Sequence, residues 1–90
     1  MRITFNNDID RVIHFVNICT TFKEDIDVKA GRYVIDGKSI LGMCGICSMP
    51  NIDATIITDD QERWIAFRNA ITDYLYIEGE YDARYYNVQE

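Results

Sequence analysis

Three groups of side chains in this sequence are of types that can do chemistry: the Cys44-Gly45-Ile46-Cys47 run, the lone histidine His14, and the hydroxyl of Ser39 in Asp36-Gly37-Lys38-Ser39. A C-x-x-C run can be a dithiol redox pair or half of a metal site. The redox chemistry wants its first cysteine exposed at a helix N-terminus, where the dipole stabilises a thiolate. Here the pair falls at the end of a predicted helix. A zinc site needs two further ligands, and the remaining candidates, Cys19 and His14, belong to a different segment. Packing or interface thiols are therefore the favoured reading, thiol redox through Cys44 and Cys47 is the alternative, and no metal or other cofactor is expected. His14 lies between the apolar positions Ile13 and Val16, a turn inside its helix, and reads as an ordinary surface histidine.

Ser39 is the most informative of the three because of what surrounds it. Asp36-Gly37 supplies turn chemistry, with Gly37 free to take φ > 0, and the Ser39 side chain can cap a helix by accepting from a backbone N–H two or three residues on. Ile40, Leu41, Met43 and Cys44 follow on a helix too short to bury them all. Apolar side chains left at the surface beside a hydroxyl predict a docking patch.

The segments that position this helix alternate between strand and helix patterns. Arg2–Phe5 reads as a short strand with Ile3 and Phe5 on one side. From Asp8 the period changes: Ile9, Val12, Ile13, Val16, Cys19 and Phe22 fall at helical spacing, with Asn7, Asp8 and Asp10 suited to its start. Asp25–Ala30 alternates, Gly31 turns the chain, and Tyr33–Asp36 is a second strand of a hairpin. After the Ser39 helix, Pro50-Asn51 breaks the chain and Ile52–Thr58 is rich in Ile and Thr. Asp59 with Glu62 resembles a capping pair before a last helix whose stripe is Trp64, Phe67, Ile71 and Tyr74, leaving Arg63, Arg68 and Asp73 wet. The order β-α-β-β-α-β-α predicts an α+β two-layer, open-faced sandwich: four mainly antiparallel strands with three helices on one face.

Composition sets the boundaries. Ninety residues make one domain, and 48% hydrophobic with 27% charged residues is an ordinary globular balance. A formal charge of -6 argues against binding nucleic acid or an anionic membrane. The opening Met1–Asn7 has no apolar run of signal-peptide length, which predicts a cytoplasmic location. Three cysteines, an odd number, fit reduced thiols.

Taken together, the element order, the Phe15-Val16 and Phe22 spacing, the Gly37–Met43 turn and helix, and the Ala54–Ile57 strand before an acidic helix start resemble HPr, the histidine-containing phosphocarrier of the bacterial sugar phosphotransferase system. The likeness covers residues 1–75. Its most specific part is Lys38-Ser39-Ile40-Leu41-Gly42, similar to the family segment that holds a regulatory serine phosphorylated by a dedicated kinase. It implies a regulatory phosphorylation site at Ser39 and a partner-binding surface made of Phe15, Ile40, Leu41 and Cys44. The family's phospho-acceptor histidine, followed by an Arg-Pro pair at the start of the first helix, has no counterpart. That region reads Asn7-Asp8-Ile9-Asp10-Arg11-Val12, in which Arg11 echoes the family arginine while Asp8 and Asp10 repel phosphate.

The expectation is a non-enzymatic, HPr-like bacterial regulatory protein that binds a protein partner and cannot carry histidyl phosphate. A divergent phosphotransferase-system component is a further alternative. The segment 76–90 extends past the likeness as an acidic tail with five of the six tyrosines in 74–90, a composition suited to an interface, including self-association. Incubation with phosphoenolpyruvate and the general phosphotransferase enzyme should leave the chain unlabelled. Acid-labile phosphate on His14 is the contrary result.

Overall fold

The computed structural model describes residues 1–76, so the tail from residue 77 onward, with its expected interface, lies outside the described residues. Within residues 1–76 the chain runs β1 (Arg2–Ile3), α1 (Ile9–Thr20), β2 (Ile26–Ala30), β3 (Tyr33–Asp36), α2 (Ile40–Cys44), β4 (Ile52–Ile56) and α3 (Gln61–Ala70), then a 3₁₀ turn at Thr72–Tyr74. The expected α+β open-faced sandwich is the observed one. The sheet order is β1-β4-β2-β3 and every pairing is antiparallel.

Alternation along the central strands decides which face is covered. Ile26, Val28 and Ala30 of β2 and Ile52, Ala54 and Ile56 of β4 are buried, and the register sets Ile26 opposite Ile56, Val28 opposite Ala54 and Ala30 opposite Ile52. Asp27, Lys29, Asp53 and Thr55 therefore occupy the other, open face. The β2–β3 hairpin closes on Gly31-Arg32 with Gly31 at φ 60, a backbone region that costs glycine nothing.

At the other end of the sheet, β1 stops early because Asn6 (φ 53) and Asn7 (φ 56) both take the left-handed region, which asparagine tolerates better than other side chains. That pair aims the chain into α1, where Asp8 is the cap, accepting from the Asp10 N–H at 2.9 Å. The helix buries Val12, Phe15, Val16 and Cys19, at spacings i, i+3, i+4 and i+7. Ile9 and Ile13, expected inside, are exposed at 45% and 37%, whereas Phe15, expected at a partner surface, is fully buried. The reason is aromatic: Phe15 meets Phe5 edge-on at 5.3 Å between ring centroids and Tyr74 at 5.4 Å.

The last helix keeps most of its predicted stripe: Phe67, Ile71 and Tyr74 are buried, and Trp64 is not. Its cap is Asp60, which accepts from Glu62 N–H, one residue later than the expected Asp59. The helix ends at Ala70, so Ile71 and Tyr74 reach the core from the turn beyond it. Trp64 is 39% exposed, and the Arg63 side chain, expected in water, keeps 37% of its surface exposed while lying across Phe22. Arg63 makes a two-pronged pair with Glu24, Nε to Oε2 at 2.8 Å and Nη2 to Oε1 at 3.1 Å, and its guanidinium lies 5.1 Å from the Phe22 ring centroid. Phe22 in turn meets Phe67 edge-on at 5.4 Å. This stack joins the α1–β2 connection to α3.

Hydrogen bonding from Arg63 lowers the Glu24 carboxyl from an ordinary 4.5 to about 2. The unfolded chain thus binds a proton at higher pH than the folded one. The pair's contribution is complete above about pH 4.5 and is lost as pH falls toward about 2. Urea unfolding across that window should give a shallower pH dependence for Glu24→Gln than for the natural chain, and parallel curves would show that another carboxylate is responsible.

Candidate functional site

The best-built feature among the predicted sites is the Asp36–Cys44 turn and helix. Ser39 Oγ accepts from the Gly42 N–H at 3.2 Å, while the Ser39 N–H donates to the Asp36 carbonyl at 2.9 Å. Lys38 N–H donates to Asp36 Oδ1 at 2.9 Å, so the Asp36 side chain holds the turn from within. The Lys38 ammonium crosses to the end of α1 and donates to the Phe22 carbonyl at 2.7 Å. The turn is thereby fixed to the helix behind it.

Two glycines let this segment lie flat on its neighbours. A Cβ on Gly37 would come within 2.8 Å of Ile26 Cγ2, and one on Gly42 within 2.6 Å of Ile35 Cγ2. Gly37 does not take the positive φ that turn chemistry suggested. It is glycine for close approach, with its N–H donating to the Ile26 carbonyl at 2.7 Å. Seated this closely, α2 points Met43 into the core and leaves Ile40 45% and Leu41 89% exposed. Half-buried Cys44 packs against the core edge.

Of the four residues expected to form a docking surface, three share α2 and Phe15 does not belong with them. Sequence reasoning missed Ile9 and Ile13, an exposed i, i+4 pair on α1, the helix that packs alongside α2. Their signal was present as isoleucine at helical spacing, but the same spacing also fits a core stripe.

The start of α1 is not an anion site. Asp8 already accepts there, Asp10 adds a second carboxylate, and His14 stands exposed further along the helix. Arg11, which echoed the family arginine, is committed elsewhere. Its Nη2 donates to the carbonyls of Thr4 at 3.2 Å and Asp73 at 2.9 Å, and its guanidinium covers the Tyr74 ring at 4.6 Å. It ties α1 to both ends of the described chain, and its buried Nε has no acceptor among the described residues.

Cys44 ends α2 and Cys47 follows in the next turn, both half-buried and free. Neither sits at a helix N-terminus. Cys19 is sealed in the core, and burial pushes its thiol up to about 12, which leaves it unreactive. Among the described residues no group of three or more His, Cys, Asp or Glu side chains could hold a metal ion, and no helix is long and apolar enough to cross a membrane. An open hollow of about 320 Å³ beside Trp64 is lined by Thr58, Asp59, Asp60 and Gln61, with Asp60 occupied in capping.

None of the protein-family models, curated proteins or solved structures compared with this chain matches it.

As an N-cap whose Oγ accepts from the Gly42 N–H, Ser39 makes a ranked stability prediction. Ser39→Ala should lose about 1 kcal/mol in denaturant unfolding, and Ser39→Asp should stay close to the natural chain because a carboxylate also caps. An Ala variant as stable as the natural chain would remove the capping role.

Proposed function

We propose that this protein is a non-catalytic, HPr-like regulatory domain that docks a protein partner through α2, with Ser39 as its phosphorylation-sensitive element. The observation that carries this reading is Leu41. A leucine 89% exposed, next to a 45% exposed isoleucine, on a helix anchored by Lys38, Gly42 and Met43, is a rigid apolar surface held toward solvent. The element order that the HPr resemblance implies supports the same reading. Ser39 precedes Ile40 directly, so a phosphate on its Oγ would bring about -2 charge to the border of the patch and alter which surface can dock.

Phosphorylation need not unfold the turn. The Oγ already serves as an acceptor toward Gly42 N–H, and phosphate oxygens accept in the same way. The absence of an imidazole beside the Asp8 cap favours regulation over phosphocarrier chemistry. A cytoplasmic, bacterial setting belongs to this proposal, since the kinase that the resemblance implies acts there.

The experiment is a partner capture followed by quantitative binding with matched variants. Ile40→Ser combined with Leu41→Ser should weaken binding by a few kcal/mol while changing stability by only about 0.5 kcal/mol per site, and Ser39→Asp should alter affinity several-fold without unfolding the domain. Full binding by the double variant would remove α2 from the interface. Equal binding by Ser, Asp and phosphorylated forms would reduce Ser39 to a cap.

A further inference from the structure

The two edges of the sheet differ in what covers them. Along β1, the returning chain supplies partners: Thr4 N–H donates to the Tyr74 carbonyl at 2.8 Å, Tyr76 N–H donates to the Arg2 carbonyl at 2.9 Å, and Ile3 bridges Leu75. Along β3 no backbone partner on the outer side occurs among the described residues. The direction of its free groups follows from Gly37, whose N–H donates inward to the Ile26 carbonyl at 2.7 Å. Backbone groups in an antiparallel ladder alternate sides, so Tyr33 and Ile35 also face β2 while Val34 and Asp36 turn theirs outward.

The side chains on this strand carry unmatched charge. The register sets Asp27 directly opposite Asp36, two carboxylates facing each other on the open side of the sheet. Such a like-charged pair is unfavourable on its own. Among the described residues neither has an ion-pair partner, and neither does Arg32 at the end of the hairpin. Val34 between them is 59% exposed and Tyr33 54%.

We propose that β3 pairs antiparallel with β3 of a second copy, centred on Val34, giving a two-fold symmetric dimer with one continuous sheet. The strand Arg32-Tyr33-Val34-Ile35-Asp36 is self-complementary in that register. Val34 lies opposite Val34 with its outward N–H and C=O bonding across the axis, Tyr33 lies opposite Ile35, and Arg32 lies opposite Asp36 twice. Each arriving arginine meets a carboxylate pair that has no cation among the described residues of its own chain. Sliding the register by two residues keeps the backbone pattern but takes Arg32 away from Asp36, so the charges select the Val34-centred pairing. The exposed ion pairs set register more than affinity, which comes from the backbone bonds and the Val and Tyr contacts. Two chains of charge -6 also repel, an effect screened beyond about 8 Å at ordinary ionic strength.

Sedimentation of the full chain over a concentration series at physiological salt is the test. The natural protein should dimerise, and Val34→Lys, a fully tolerable change on an exposed edge, should shift it to monomer with its circular dichroism unchanged. R32D and D36R should each weaken self-association by about tenfold or more, and an equimolar mixture of the two should form a mixed dimer, because each then supplies the charge the other needs. R32D with V34K tests the proposal even if D36R disturbs the turn that Asp36 holds. Hydrogen exchange at the Val34 amide should slow as concentration rises. A monomer at every concentration, a dimer indifferent to V34K and R32D, or Val34 protection independent of concentration, which would mean the edge is covered by the chain's own tail, would each overturn the proposal. The α2 double variant leaves this edge intact, so loss of partner docking and loss of dimerisation are separable.

Discussion

The five-residue ladder between β2 and β4 is the constraint on which the rest of the domain depends. It joins residues 22 to 30 apart in the chain, Ile26 with Ile56 at one end and Ala30 with Ile52 at the other. Its period of two leaves a single choice. With three buried apolar side chains from each strand on one face, a slip of one residue by either strand would turn its three toward water and bring its polar residues, Asp27 and Lys29 or Asp53 and Thr55, to the core face. Everything carried by these strands inherits that register: β3 through the hairpin at Gly31, and β1 through Ile3 opposite Ile52. The helices are added to a surface already defined.

Three cations then fix the helices to that surface, and none of them remains available for an incoming anion. Arg11 holds α1 to the carbonyls of Thr4 and Asp73, Lys38 holds the α2 turn to the exit of α1, and Arg63 holds α3 to Glu24 across the Phe22 ring. Each spans elements that a short apolar contact could not have oriented alone, because directional bonds specify angle as well as distance. Such use of basic residues makes the remaining surface more acidic in effect than the formal charge of -6 suggests.

The way α2 is held bears on the proposed docking. A five-residue helix has little stability of its own, and this one is held by its cap, by Gly37 and Gly42 lying against Ile26 and Ile35, and by Met43 in the core. Under the proposed docking, a backbone fixed in advance would lower the ordering cost of burying Ile40 and Leu41. The same placement puts α2 over β3, the strand whose outer edge has no backbone partner among the described residues, so the apolar helix and this edge are neighbours on one side of the domain.

Much of this could be read along the chain because it depends on local spacing. Alternation marked β2 and β4, the Asp36–Ser39 turn announced α2, and a helix of that length was bound to leave Ile40 or Leu41 outside. What the chain could not decide was rotation about a helix axis. Val12, Val16 and Cys19 fit a stripe flanked by Ile13 or by Phe15 equally well, and Phe5 with Tyr74, ten residues before and fifty-nine after Phe15, settle it in favour of the ring. Likewise nothing local to α3 shows that Trp64 stays largely outside, or that Arg63 reaches back to Glu24 across the Phe22 ring. Local periodicity specifies that a stripe exists, while partners distant in sequence choose which edge of it is buried. For that reason the elements were legible from the chain alone, and the exact surface they present was set by the tertiary structure.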